Sequence, residues 1–150
     1  MIYIGADHRG FELKEELKRR MDADGLEYED MGNENLDPAD DYVDYAQAVG
    51  QAVAEDSDSK GVLICGSGVG VDMAANKVKG VRSCLVFDEK RAAQSREHED
   101  ANIICLASDV LIADTAYEMV KTFLNTAFTG EERHIRRINK LKELEQYRLK

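Results

Sequence analysis

Short apolar runs alternate along the chain with stretches whose apolar residues recur every three or four positions. "MIYIG" at 1–5 predicts a first strand, and "FELKEELKRRM" carries Phe11, Leu13, Leu17 and Met21 in a helical period. "LEYEDMG" reads as a second, more polar strand, and "NENLDPADD" as a polar loop holding the only proline, Pro38. "YVDYAQAVGQAVAE" predicts a helix with small residues on its buried side. "GVLIC" at 61–65 is a continuous apolar run, as expected of a strand covered on both faces. "VDMAANKV" then reads as a short helix, "VRSCLVF" as a strand, and "DEKRAAQSREHE" as a helix opened by Asp88 as N-cap. "NIICLA" is the fifth strand, "LIADTAYEMVKTFLNTAF" a long helix stopped by Gly130, and "RHIRRINKLKELEQY" a last helix.

Strand and helix alternate throughout, which predicts a five-stranded parallel sheet with helices on both faces. Without repeat or linker, residues 1–150 read as a single domain, with a C-terminal helix near 131–147. Ligands of such sheets bind beyond the carboxyl ends of the strands. "GADHRG" after the first strand, "CGSGVG" after the third and "ASD" after the fifth all fall on that rim.

Charge narrows the partners. Thirty Asp and Glu against twenty Lys and Arg give a net charge of −10, a surface that repels nucleic acid and anionic membrane. The tail from Arg133 to Lys150 reverses the sign, with seven basic residues and two Glu. Such a run is ordinarily a solvated helix face; the alternative is contact with an anion or with the acidic surface of a second subunit. Cys65, Cys84 and Cys105 are odd in number, widely spaced and set in apolar runs, which suits neither a disulfide framework nor a zinc site. The chain opens without a basic and then apolar leader, and no stretch approaches the length of a membrane span. A reduced, cytoplasmic protein is expected.

The glycine loop carries the chemistry. Gly66, Gly68 and Gly70 allow a tight turn and close approach of backbone to a ligand. A helix beginning near Val69 would point unpaired N–H groups back at the loop. No Gly-Lys-Ser/Thr follows, so a P-loop is excluded. A dinucleotide fingerprint fits only in part: the spacing is G-x-G-x-G on the third strand, although Asp88 lies about twenty residues on. A plain glycine turn remains available. Cys65 favours chemistry, because it ends its strand at the ligand rim beside amide donors while Cys84 and Cys105 read as inert packing. A thiolate there can remove a proton next to a carbonyl while the amides hold the oxyanion. Ser67 adds a hydroxyl to the same loop.

Asp7 and His8 put a carboxylate and an imidazole side by side on the rim. His98 falls near the end of its helix, where the dipole supports a protonated ring. Arg133 and Arg137 share one helical face, spaced to grip a phosphate or to lie on ordinary surface. Ile135, Ile138 and Leu141 occupy the other face, as for a helix that packs on something, including a partner chain.

With these residues assembled, the chain resembles the ribose-5-phosphate isomerase B family, the group that also includes the galactose-6-phosphate isomerase subunits. "GADHRGFELK", "ICGSGVGVDMAANKVKGVRS", "SREHEDAN" and "RHIRRI" match it in order and spacing, nearly end to end. The resemblance implies a Rossmann-like α/β/α sandwich and a homodimer, or a tetramer, whose active site draws on both subunits. It implies aldose–ketose isomerisation through an enediolate, with neither metal nor cofactor. In that scheme Cys65 shuttles the proton between C2 and C1 and Ser67 supports it. The amides from Gly66 to Gly70, Gly68 and Val69 included, stabilise the enediolate. His98, with Asp7 nearby, helps open the sugar ring, and His8, Arg133 and Arg137 bind the phosphate.

Two positions depart from the family pattern. After "REH" the family usually has Asn, a substrate-assisting residue, and here stands Glu99. At the end of the fifth strand the family commonly has Gly-x-Arg, the arginine serving the phosphate, and here stands Asp109. A carboxylate about 4 Å from a phosphate opposes binding by roughly 1 kcal/mol in water and more at lower dielectric. Either other groups neutralise these acids, Arg96 being placed to reach Glu99, or phosphate binding is weakened and the preferred sugar differs. A relative acting on another pentose or hexose is therefore the second reading. A non-catalytic sugar-phosphate or nucleotide-binding module is the third, opposed by the retention of Cys65 and His98, which binding alone does not require.

Overall fold

The computed structural model describes residues 1–147; Arg148, Leu149 and Lys150, the end of the basic tail, lie outside the described residues. Strands β1 (Ile2–Ala6), β2 (Tyr28–Asp30), β3 (Lys60–Cys65), β4 (Ser83–Leu85) and β5 (Ile103–Ala107) form one sheet in the order β2-β1-β3-β5-β4. Every pairing is parallel. The helices are α1 (Phe11–Ala23), α2 (Tyr42–Glu55), α3 (Val69–Ala75), α4 (Glu89–Glu99), α5 (Ala113–Asn125) and α6 (Glu132–Tyr147).

The continuous apolar runs are the interior strands because both of their faces are covered. Val62 and Ile64 of β3 face a core built from α1, α4 and α5, including Leu13, Leu17, Ala92, Met119 and Phe123. Leu63 and Cys65, pointing the other way, face a second core with Ala46, Val49 and Val53 of α2 and Val71 and Ala75 of α3. The three-layer α/β/α expectation is met. Ala6 pairs with Ile64 and Cys65 with Ala107, so the carboxyl ends of β1, β3 and β5 are level and their loops open on one rim.

Boundaries shift where only one face is apolar. β2 and β4, expected over seven residues each, hold three, and both lie at sheet edges. α5 ends at Asn125, before the expected 128, where Thr126 turns extended and its Oγ1 donates to the Thr122 carbonyl at 2.6 Å. Gly130 adopts φ +69° in the connector rather than at the helix end. Thr129 meanwhile donates its N–H and Oγ1–H to the Glu97 carbonyl, drawing the chain across to α4. Asp88 caps α4 as expected, its Oδ1 accepting the Arg91 N–H at 2.7 Å.

α6 buries His134 and Ile138, but Ile135, Leu141, Leu144 and Tyr147 remain exposed. Glu145 Oε1 accepts the Gly80 N–H at 3.1 Å, so the helix lies across the region of the edge strand β4. A cavity of about 280 Å³ separates them, lined by Ser83, Cys84 and Glu99 on one side and Leu141 and Leu144 on the other.

Candidate active site

Successive connections leave β1 and β3 in opposite directions across the sheet, which opens a crevice beyond their carboxyl ends. Asp7 ends β1 there, buried, and its Oδ1 accepts the N–H groups of Arg9 and Gly10 at 3.0 and 3.1 Å. That turn brings α1 hard against β3: a Cβ on Gly10 would lie 2.6 Å from the Ile64 carbonyl oxygen, so only glycine fits.

Cys65 closes β3 and is 4% exposed. Its Sγ accepts the Gly68 N–H at 3.1 Å. Ser67 is exposed and its Oγ accepts the Val69 N–H at 3.2 Å. The Gly66 and Ser67 amides donate to no protein atom among the described residues, which leaves two main-chain donors beside the sulfur. Burial pushes the Cys84 thiol up to about 11, with Asp72 and Glu99 adding to it; complete burial, together with the charge of Asp72, raises Cys105 well above the ordinary thiol range. Both are thus held as thiols.

Gly68 holds φ +72°, and a Cβ there would sit 2.4 Å from Leu85 Cδ1 and 3.1 Å from the Leu106 carbonyl carbon. Gly68→Ala is therefore expected to cost about 1–3 kcal/mol from the backbone alone, read as a lower urea midpoint. It also displaces the amide that meets Cys65, so turnover falls with stability. A variant matching the wild type in both would show that the loop tolerates a side chain.

His8 is oriented by an acid from the loop before α2. Its N–H and its Nδ1 both meet Asp40 Oδ1, at 3.0 and 2.7 Å. Burial opposes ionisation of Asp40, but the His8 ring and amide and the Asn33 side chain outweigh it and hold the carboxyl below its ordinary range. An ionised Asp40 accepts a hydrogen bond from His8 Nδ1–H and leaves Nε2 for a ligand. Ligand atoms of Asp7, His8 and Asp40 lie within 4.8 Å of one another, close enough for a cation to be shared, although the Oδ1 atoms of both acids already accept protein donors. Tyr42 forms a further wall, its ring lying where a Cβ on Gly70 would be, with Cζ at 2.8 Å.

Asp109 is not an uncompensated acid. Arg9 Nη2 donates to both of its carboxylate oxygens at 2.6 Å. Among the described residues Arg96 does not pair with Glu99; it donates to Asp100 Oδ1 and to the carbonyls of Ala101 and Thr126.

The remaining expected site residues form a second group. α4 leaves the rim at Asp88 and descends to the amino ends of the strands, so His98 lies roughly 15 Å along the helix axis from that end. Asp7 is therefore not its neighbour within one chain. The His98 ring stacks on His134 of α6, with centroids 4.6 Å apart and planes 9° from parallel. Arg133 pairs with Glu131 at 3.1 Å, and Arg137 is exposed on the same helix. His98 and Glu99 line an open cleft of about 500 Å³ that runs along α4 past Ser95 and Arg91 to Phe87. Among the described residues, no hydrogen bond, ion pair or ring contact joins this group to the glycine loop.

Arg9, Asp40, Tyr42 and His134 are the residues that sequence reading did not single out. Arg9 and His134 lie inside quoted motifs, whereas nothing local to Asp40 or Tyr42 marks them.

A family model described as Ribose/Galactose Isomerase matches residues 2–141. The chain is 44% identical over 140 residues to a Mycoplasma pneumoniae protein named "Probable ribose-5-phosphate isomerase B", covering 93% of this chain and 91% of that one. It is 36% identical over 145 residues to ribose-5-phosphate isomerase B of Mycobacterium tuberculosis, covering 97% and 90%. The crystal structure of ribose-5-phosphate isomerase B from Mycoplasma genitalium, with bound ribulose-5-phosphate, superposes with a TM-score of 0.92 at 42% identity, over 97% of this chain and 95% of that one.

Proposed function

The chain belongs to the ribose/galactose isomerase family, and from that premise we propose that it interconverts ribose 5-phosphate and ribulose 5-phosphate with Cys65 as the base. The observation that carries the assignment of roles is the convergence of Sγ with the unoccupied Gly66 and Ser67 amides at one strand end. Sulfur takes the proton from C2 of the open-chain aldose, and the C2 electrons form the enediolate as the C1 carbonyl oxygen gains charge. The loop amides stabilise that oxyanion. The O2 hydrogen passes to O1, the proton held on sulfur returns to C1, and a C2 ketone results. Ser67 contacts the substrate at the mouth, and His8, as an imidazolium whose Nδ1–H is held by Asp40, donates its Nε2–H to the phosphate.

Ring opening and further phosphate binding fall to His98, Arg133 and Arg137 of a second copy. This is supported by the separation of the two groups in one chain and by the exposed apolar residues on α6, with Val69 and Met73 exposed beside the loop. The cleft along α4 is open to receive the partner's rim, and Glu99 would enter the shared site with its charge. The active species is then a homodimer, or a tetramer built from dimers. No helix among the described residues is long and apolar enough to cross a membrane. The three free cysteines fit a reducing cytoplasm.

Mixing inactive variants tests the sharing. Cys65→Ala and His98→Ala subunits, each inactive alone, should on subunit exchange recover about one quarter of wild-type activity, because about half the dimers are mixed and each mixed dimer has one intact site. Recovery of nothing, with exchange verified by mass spectrometry, would assign both residues to one subunit's site or to none.

A further inference from the structure

We propose that Arg9 is a substrate-binding residue that receives the phosphate at the mouth of the crevice; this deepens the isomerase reading and rests on it. The guanidinium lies directly over the first glycine of the loop. A Cβ on Gly66 would stand 2.5 Å from both Cζ and Nε of Arg9 and 2.8 Å from Nη1, so the absence of a side chain at 66 is what lets the group settle there. Asp109 fixes it from the opposite side, taking both of its bonds from Nη2. Ser108 Oγ holds the Arg9 backbone as well, donating to the Arg9 carbonyl at 2.8 Å and to the Cys65 carbonyl at 3.2 Å.

The Nε–H and Nη1–H donors have no acceptor among the described residues. A guanidinium carries five N–H donors, so one nitrogen can serve a carboxylate while the others donate to a phosphate. Exposure decides which end of the substrate it meets. The Arg9 side chain is 56% exposed, whereas Cys65 is 4% exposed. The carbons that exchange a proton must reach the sulfur, so the far end of the five-carbon chain, with its phosphate, comes out where Arg9 lies. Asp109, a like charge beside the phosphate when read from sequence, is paired with Arg9 in the fold. An arginine introduced there would lose the anchor of Arg9 and repel it, giving no gain in phosphate binding.

Arg9→Met tests this with two readouts. The KM for ribose 5-phosphate and the inhibition constant of inorganic phosphate should rise together, by about tenfold or more, as for loss of a hydrogen bond to a charged group, with kcat within about threefold. Arg9→Lys, which keeps the charge without the fork, should fall between. Unchanged KM and phosphate inhibition in an active enzyme, or a loss confined to kcat, would overturn the assignment. Calorimetric titration of inorganic phosphate into wild type and Arg9→Met separates the two levels. A wild type without isomerase activity refutes the reading it rests on, and equal phosphate affinity of the two proteins refutes the role of Arg9 alone.

Discussion

Cys65→Ala is expected to lower the conversion of ribose 5-phosphate to ribulose 5-phosphate by about a hundredfold to ten-thousandfold, the range a positioned general base contributes. The loss should fall on kcat. Sγ sits at the buried end of the crevice, and on the proposed reading the rest of the sugar would meet other residues. Substrate affinity, measured by calorimetry, should therefore change little. Removing one sulfur leaves a small void in the layer of Val49 and Val71, so the variant stays folded and its circular dichroism matches the wild type. Cys65→Ser keeps an acceptor for the Gly68 N–H but replaces sulfur with a far less acidic hydroxyl, and should be nearly as inactive. Neither Cys84 nor Cys105 can stand in, since burial holds both as thiols. Turnover that survives Cys65→Ala would remove sulfur from the reaction and move the base to the Asp7–His8 side of the crevice.

The sheet is legible in the sequence wherever a strand is covered twice. "GVLIC" and "NIICLA" can be little else, and they are the interior strands β3 and β5. Edge strands are less legible because their polar positions resemble loop, and β2 and β4 kept less than half of their expected length. The glycine loop is legible because the role proposed for it rests on local backbone: three glycines and a cysteine lie within six residues. The side-chain pairs beside that loop are not legible, because tertiary structure alone brings them together. His8 and Asp40 are 32 residues apart, and Arg9 and Asp109 are 100 apart. Asp109 read from sequence is a like charge beside a phosphate, and read from structure it is the anchor of an arginine. His98 shows the same limit differently. Its helix end is evident from "SREHED", but that this end lies away from the rim follows from the direction of α4 under the sheet order.

Lys14→Met is expected to destabilise the fold by about 3 kcal/mol, the lower end of the cost of breaking a buried ion pair. Lys14 has no exposed surface, and its Nζ donates to both oxygens of Asp30 at 2.7 Å and to the Asn33 carbonyl at 2.6 Å. Methionine keeps most of the stem's packing, so the loss is electrostatic. Lys18, 2.6 Å from Asp30 Oδ2, still compensates part of the exposed charge, which is why the lower end applies. For a chain of this size that is roughly 6–12 °C in Tm. The effect depends on pH in a defined direction. Burial opposes ionisation of Asp30, but Lys14, Lys18 and the Gly32 amide outweigh it and hold the folded carboxyl below its ordinary range. A group whose folded value is depressed contributes stability above its unfolded value, near 3.9, and loses it as pH falls towards the folded one. The gap between wild type and Lys14→Met should thus be full at pH 7 and narrow below about pH 4. Asp30→Asn added to Lys14→Met should recover part of the loss, because no buried anion is then left short of a partner. The consequence reaches the site through one loop. Lys14 and the Ala6 backbone tie down Gly32 and Asn33, and Asn33 helps hold Asp40, the partner of His8. Lys14→Met should therefore also raise the KM for ribose 5-phosphate with kcat nearly preserved. A variant as stable as the wild type in urea at pH 7 would mean that Lys14 gains no more from Asp30 than its burial costs.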